Sequence, residues 1–140
     1  MKNIRQKGND FEREASQLLT DKIKNSKFRR IPSSGAIGTS LGEPLLTGDI
    51  SGIVDGYHKR FKIEAKTGYG GSKQFTLKKE WLDKILQEAE NNYSMPLLIG
   101  KFSGSRAGVK VFVIMDIDTF AEVINKTTDC TKQLEELSKE

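Results

Sequence analysis

The most informative stretch of the chain is residues 48–66, GDISGIVDGYHKRFKIEAK. Two β-prone runs, 49–54 and 60–66, flank the turn signal Asp55-Gly56, which is the pattern of a β-hairpin. In the second run, Phe61, Ile63 and Ala65 alternate with Lys62, Glu64 and Lys66. Successive residues of a strand point to opposite faces. We therefore predict a hairpin whose second strand has one apolar face and one fully charged face.

The turn between these strands can take two lengths, and each gives Asp49 a different neighbour. A four-residue loop at 55–58 places Asp49 directly opposite Glu64, whereas a two-residue Asp55-Gly56 turn places it opposite Lys62. In the first register two carboxylates lie a few ångströms apart and need a cation to offset their repulsion. Ligation by oxygen atoms with open positions suits Mg²⁺, with Mn²⁺ as a substitute, and we expect no organic cofactor.

The triplet Glu64-Ala65-Lys66 is weak evidence of function when it is taken alone. Its ordinary interpretation is an exposed ion pair on the outer face of a half-buried sheet, which contributes little to stability. Asp49 changes the balance, because two carboxylates that converge on one place can together bind a metal ion.

The first helix is predicted over residues 9–25, where apolar residues recur at helical spacing. These residues are Phe11, Ala15, Leu18, Leu19 and Ile23. Glu12 falls inside this apolar stripe, whereas Glu14 falls outside it. A carboxylate on the core side of a helix is costly unless it is paired or binds a metal, although a border residue can also reach water. Because Asp49 and Glu64 offer a site, we favour a functional role for Glu12.

The remaining segments complete an α/β pattern. The sequence predicts a strand at 28–31, a long loop at 33–48 and a helix capped by Thr76 that carries Leu77, Trp81, Leu82, Ile85 and Ala89. It then predicts strands at 97–102 and 109–115, a short helix from a cap at Asp118 through Asn125, and a charged helix or tail over 127–140. The strand-helix-strand unit from Arg60 to Phe102 requires a parallel crossover. We therefore predict a central mixed sheet of about five strands flanked by helices.

The composition is that of one globular domain: 140 residues, 36% hydrophobic and 30% charged. There is no apolar run of about 18 residues that could cross a membrane and no signal-peptide pattern, so we expect a cytoplasmic protein. A single cysteine, Cys130, and a single histidine, His58, argue against a disulfide and a zinc site. Residues 1–30 carry nine Lys or Arg against four acids. This excess suits a polyanionic partner or, equally, a solvated helix face.

Taken in order, these residues resemble the PD-(D/E)XK nuclease superfamily and, within it, the archaeal-type Holliday junction resolvases. The resemblance covers about residues 4–115 and lies in the order and spacing of short motifs. They are Lys7-Gly8, Glu12-Arg13-Glu14, Arg30, Ser34-Gly35, Asp49, Glu64-Ala65-Lys66, Lys78-Lys79-Glu80, Pro96-Leu97 and Lys101-Phe102. Three departures stand out. Thr47-Gly48 replaces the proline that gives the superfamily its name, the loop at 35–48 is long, and Trp81 stands where resolvases often carry glutamine.

The resemblance implies a restriction-endonuclease-like fold, with a nuclease domain at 1–126. It also implies a Mg²⁺-dependent homodimer, chromosomal or phage-encoded, that nicks opposite strands of a four-way DNA junction. Metal ligands would be Glu12, Asp49, Glu64 and the Ala65 carbonyl. Lys66 would orient the attacking water or stabilise charge on the phosphate, and Ser34 would contact the phosphate or the metal. Candidates for contacts with the DNA backbone are Arg5, Lys7, Arg29, Arg30, Lys73, Lys78 and Lys79.

Two alternatives stay open. A related nuclease could use the same site on duplex, flap or nicked DNA. The sequence shows no obvious separate recognition domain, which argues against a sequence-specific restriction enzyme. The other alternative is a non-catalytic DNA-binding module. Asp49, Glu64 and Lys66 argue against that module, because a pure binder has no use for paired acids that face the phosphate.

Overall fold

The computed structural model describes residues 4–31, 49–68, 73–102 and 111–139, without the side chains of residues 4 and 5. Within these ranges the chain forms α1 (Ile4–Lys22), β1 (Ser26–Arg30), β2 (Ile50–Val54), β3 (Arg60–Thr67), α2 (Lys79–Asn91), β4 (Ser94–Lys101), β5 (Phe112–Ile114) and α3 (Ile117–Ser138). The strands form one sheet in the order β1-β2-β3-β4-β5. Only β3 and β4 are parallel, so the predicted mixed sheet of five strands is confirmed.

β2 and β3 form the predicted hairpin, and their register is that of the longer loop. Ile50 pairs with Ile63 and Gly52 with Phe61. The backbone N–H of Asp49 donates to the Ile63 carbonyl at 3.1 Å, so the ladder extends to the residue before β2. Asp49 therefore lies opposite Glu64 rather than opposite Lys62.

Both faces of β3 are covered. On one face Ile63 and Ala65 lie in the hydrophobic core beneath Phe11 and Ala15 of α1. On the other face lies α2, the helix of the β3–α2–β4 crossover, whose Trp81, Ile85 and Ala89 are buried. The charged face of β3 is therefore enclosed: Lys62 and Glu64 are 0% and 2% exposed. An exposed ion pair on the outside of the sheet is excluded for Glu64.

Several predicted boundaries are wrong. α1 ends at Lys22 rather than at residue 25, and β1 spans Ser26–Arg30 rather than 28–31. α1 begins at Ile4, before residue 9. Thr76 does not cap α2, which begins at Lys79 after an extended Lys78 with no side-chain cap. β4 begins at Ser94 and runs through Pro96 instead of starting at residue 97. Proline is tolerated because β5 pairs with Leu98–Gly100, and no strand among the described residues pairs with that edge of β4 next to Pro96.

The C-terminal helix also differs from the prediction. Asp116, not Asp118, caps α3: its carboxylate accepts hydrogen bonds from the backbone N–H and the hydroxyl of Thr119. The helix does not end at Asn125 but continues to Ser138, and within it the Thr127 and Thr131 hydroxyls donate to carbonyls one turn earlier. The division of the chain at residue 126 stays a prediction. None of the described helices is long and apolar enough to cross a bilayer.

Candidate active site

Asp49 and Glu64 form the centre of the candidate site, where β2 begins beside β3. Asp49 Oδ2 accepts a hydrogen bond from the backbone N–H of Ala65 at 3.0 Å, which fixes its carboxylate against the neighbouring strand. Burial, and then the charge of Glu64, raise the pKa of Asp49 to about 7, against the opposing effects of the Ala65 N–H and Lys66. The strands therefore hold two acids close together in a desolvated place.

Glu64 has one oxygen paired and one oxygen without a hydrogen bond. Its Oε1 lies 3.1 Å from Lys66 Nζ, whereas Oε2 lies 3.8 Å from Lys84 Nζ, beyond hydrogen-bond distance. Among the described residues, Glu64 Oε2 is one of the few buried side-chain atoms that have no hydrogen-bond partner. Buried polar atoms are usually satisfied, so this oxygen is suited to an additional ligand.

Lys66 is held from two sides. Its ammonium is bound to Glu64 and lies 5.0 Å from the centroid of the Trp81 ring. Lys78 Nζ lies over the same ring at 5.6 Å. Such cation–π contacts limit the rotamers available to a lysine. Trp81, the residue that departs from the resolvase pattern, thus positions Lys66 and links it to a basic side chain at the start of α2.

Glu12 is paired with Arg30 at the border of the site. Arg30 Nε lies 2.6 Å from Glu12 Oε2, and an Arg30 terminal nitrogen donates to Asn9 Oδ1 at 2.8 Å. Both side chains of the ion pair are about five-sixths buried, 17% and 16% exposed. The core-side carboxylate is therefore stabilised by an arginine, and its charge still raises the pKa of Asp49.

The described residues contain no group of three or more Asp, Glu, His or Cys side chains close enough to hold a metal ion. A set with only two such side chains still fits a divalent cation. It consists of Asp49, Glu64 with its unsatisfied Oε2, and the Ala65 carbonyl. That carbonyl lies on the same strand edge as the Ala65 N–H, which faces Asp49. Two carboxylates and one carbonyl suit Mg²⁺, which keeps several waters in its shell. The ligand roles of all four predicted residues stay predictions.

The other predicted residues are Ser34 and a set of cations, some of which lie outside the described part of the chain. Ser34 lies outside the described residues, as does the side chain of Arg5. Exposed cations are Lys7 on α1, Arg29 on β1, Lys73 and Lys78 before α2, and Lys79 at its first residue, where it pairs with Asp83. Arg30, predicted as a DNA contact, is occupied by Glu12 and Asn9.

Sequence reasoning missed a charged cluster on α2. Lys84 Nζ lies between Glu64 Oε2 at 3.8 Å and Glu88 Oε1 at 3.9 Å. Burial raises the pKa of Glu88 and Glu64 raises it further, whereas Lys84 and Lys62 lower it. The available signal was the spacing: Glu88 follows Trp81 by seven residues, so both lie on the helix face that meets the sheet. Glu64 thus belongs both to the candidate site around Asp49 and to this cluster on α2.

The chain has the restriction-endonuclease-like fold of PD-(D/E)XK nucleases. The features that define this fold here are a mixed sheet with α1 on one face, an Asp at the start of one hairpin strand, Glu-x-Lys on the next strand and a crossover helix. Residues 3–138 match the family described as "Phage putative PDDEXK endonuclease". The chain belongs to this family of phage endonucleases, and its class of activity is that of a nuclease. No curated protein and no solved structure matches the chain.

Proposed function

We propose that this nuclease is a Mg²⁺-dependent endonuclease that resolves four-way DNA junctions by paired nicks on opposite strands. It would act as a homodimer in the cytoplasm of the phage host. The observation that carries the proposal is the hairpin register that puts Asp49 opposite Glu64, with Lys66 on the same face of β3. The order and spacing of motifs shared with archaeal-type resolvases support the junction as substrate.

Asp49, Glu64 and the Ala65 carbonyl would hold Mg²⁺, or Mn²⁺ in its place, beside the scissile phosphate. When bound, the ion polarises a phosphoryl oxygen and lowers the pKa of a coordinated water. Asp49 binds a cation as a carboxylate, so its raised pKa means that it gives up a proton on binding. Glu64 offers Oε2, which has no other hydrogen-bond partner.

Lys66 would stabilise the charge that builds up on the phosphate or orient the attacking water. Glu64 and Trp81 hold its ammonium before substrate arrives, so little reorganisation is needed during the reaction. Glu12 would complete the metal shell or receive a proton through water, and Ser34 would contact the phosphate or the metal.

The predicted cations would contact the DNA backbone. Lys78 shares the Trp81 ring with Lys66, so one basic side chain lies directly beside the candidate catalytic lysine. The remaining candidates are Arg5, Lys7, Arg29, Arg30, Lys73 and Lys79. Contacts of this kind position DNA without reading its sequence. A twofold dimer would present two such sites to the symmetry-related strands of a junction.

The test is cleavage of an immobile four-way junction beside the matching linear duplex, each with Mg²⁺ and with EDTA. The proposal expects symmetric paired nicks on the junction only, with 5′-phosphate and 3′-hydroxyl ends, and no product in EDTA. Equal cutting of the duplex would overturn the junction as substrate while leaving a nuclease site. Binding of the junction without any cut under Mg²⁺ or Mn²⁺ would favour a non-catalytic module.

A further inference from the structure

The charged face of α3 lies against the rest of the chain. Glu122 Oε1 lies 2.8 Å from Lys59 Nζ and 3.6 Å from His58 Nε2, both in the loop before β3. Asp118, Glu122, Lys126 and Asp129 line a cavity of about 810 Å³, whose other wall comes from α2 and β4. Of the 22 residues of α3, all of them described, only Thr119 is buried.

The opposite face of α3 is apolar and faces solvent. Ile117, Phe120, Ile124 and Leu134 are between 45% and 80% exposed. A surface helix of a monomer normally directs such a stripe toward the core and its charges toward water. Here the arrangement is inverted, so the stripe is suited to a partner outside the described chain.

The stripe has the spacing of a helix-pairing seam. Positions 117, 120, 124, 127, 131 and 134 alternate in steps of three and four, and they hold Ile, Phe, Ile, Thr, Thr and Leu. This is the a and d pattern of a heptad repeat. None of the six is charged, so the seam can be buried without desolvating an ion.

The charge of the helix argues against polyanionic partners. α3 carries five acids, Asp118, Glu122, Asp129, Glu135 and Glu136, against two lysines, Lys126 and Lys132. DNA and anionic lipid surfaces are attracted by clustered Lys and Arg, which this helix lacks. A neutral apolar seam requires a partner with a seam of the same kind.

A second copy of α3 provides that seam. When two copies run antiparallel, Ile117 meets Leu134 of the second copy, Phe120 meets Thr131, and Ile124 meets Thr127. The same three layers repeat on the other side of the twofold axis, so the contact closes on itself as an isologous dimer requires. Antiparallel packing also places the positive end of each helix dipole beside the negative end of the other.

The available area agrees with a dimer. At the exposures given above, the four apolar side chains would remove roughly 250–450 Å² of apolar surface per copy on burial. Two copies give roughly 500–900 Å², and a stable interface of about 1,200 Å² that is about three-fifths apolar contains about 700 Å² of apolar surface. The helix is about 33 Å long at about 1.5 Å per residue, which is sufficient for this contact.

We propose that a second copy of this chain covers the apolar face of α3, and that the two α3 helices pair antiparallel as the dimer interface. This inference takes from the proposed function only the expectation that the chain is a homodimer. It adds which residues form the dimer interface. It involves neither metal nor DNA.

The first test is the mass of the full chain in solution, by sedimentation equilibrium in EDTA. The parent should be a dimer, and Leu134→Asp should halve the mass at the same concentration while its circular dichroism is unchanged. Gln133→Asp is the matched control, because it adds the same charge at the neighbouring position outside the seam, and it should remain dimeric. A monomeric parent at high concentration, or a dimeric Leu134→Asp, would overturn the inference. A parent that dimerises but cuts no DNA would overturn only the proposed function.

The second test reads the direction of the helices by disulfide formation. In a Cys130→Ser background, Ile117→Cys and Leu134→Cys are prepared separately, then mixed and oxidised. Antiparallel pairing predicts a cross-linked product only from the mixture, since position 117 meets position 134. Cross-links within each separate sample, with none gained on mixing, would contradict the antiparallel arrangement.

Discussion

Asp49 lies directly opposite Glu64 because Ile50 pairs with Ile63 one step further along the hairpin. The register alone brings the two carboxylates together, and the Ala65 N–H anchors one of them. The fold therefore keeps Asp49 where burial and the charge of Glu64 disfavour its charged form. A stabilising role does not explain such an arrangement, whereas a cation site does.

The first prediction concerns stability without metal. Folded Asp49 keeps its proton up to a pH of about 7, whereas its ordinary pKa is 3.8. Because the folded chain binds more protons than the unfolded chain between these values, the free energy of unfolding falls as the pH rises from about 4 to about 7. Asp49→Asn removes the charge but keeps an acceptor for the Ala65 N–H. We expect this variant to exceed the parent in stability by about 1–3 kcal/mol at pH 8 and to match it at pH 4.

The measurement is chemical unfolding in EDTA at both values of pH. Asp55→Asn is the matched control, since Asp55 is an exposed acid in the turn of the same hairpin. Its stability should follow that of the parent at each pH. An Asp49→Asn variant that is less stable than the parent at pH 8 would show that the carboxylate is stabilised by something other than a cation.

The second prediction concerns Lys66. Lys66→Met keeps much of the side-chain length and the contact with Trp81 but removes the ammonium that Glu64 holds. We expect a loss of about 10²–10³-fold in single-turnover cleavage, which is typical when a group that stabilises transition-state charge is removed. Binding of uncut DNA in EDTA should change little, because the phosphate contacts are spread over many cations. The control is Lys24→Met, at an exposed position between α1 and β1, which should cleave like the parent. Unchanged cleavage by Lys66→Met would rule out the role assigned to Lys66.

The third prediction separates two roles of Glu12. If Glu12 serves only as the partner of Arg30, then Glu12→Gln and Arg30→Gln should each lower stability, with a coupling of about 1–2 kcal/mol in a double-mutant cycle, and Mn²⁺ affinity should be unchanged. If Glu12 also completes the metal shell, Glu12→Gln should weaken Mn²⁺ binding in addition, as read by paramagnetic resonance. We expect both effects. Mn²⁺ affinity unaffected by Glu12→Gln would remove Glu12 from the metal ligands.

The fourth prediction concerns the cluster on α2. Lys84→Met leaves Glu64 and Glu88 without the cation that lies between them. We expect a loss of stability of about 1–3 kcal/mol that grows as the pH rises, because burial raises the pKa of Glu88 and Lys84 no longer offsets that effect. Adding Glu88→Gln should restore most of this loss, because Glu88 then has no charge to desolvate. Lys79→Met, which breaks the exposed pair with Asp83 on the same helix, should have little effect on stability; an equal loss in both lysine variants would contradict the cluster.

The local features of the site were predictable from the sequence. Alternation along β3 and the turn signal at Asp55-Gly56 predicted the hairpin. Of the two registers that the sequence allowed, the observed one places Asp49 opposite Glu64. Spacing also placed Glu12 on the core side of α1. That it is paired with Arg30 depends on the packing of α1 against β1, which helical periodicity does not contain.

The features that the sequence did not reveal depend on tertiary packing. Alternation predicted a charged face on β3 but not its enclosure, in which the crossover helix buries Lys62 and Glu64. α3 was expected to end at Asn125, because its threonines and charges weaken the periodic signal there. Neither the enclosure of one strand face nor the inverted orientation of a helix follows from local pattern alone.

The central claim is that Asp49 and Glu64 form the metal site at which DNA is cut. The most direct measurement is single-turnover cleavage of a labelled four-way junction in Mg²⁺, by the parent, Asp49→Asn and Asp55→Asn, with junction binding measured in parallel. The account predicts that the parent and Asp55→Asn cut at the same rate, while Asp49→Asn binds the junction and leaves it intact. Cleavage by Asp49→Asn at the rate of the parent would contradict it.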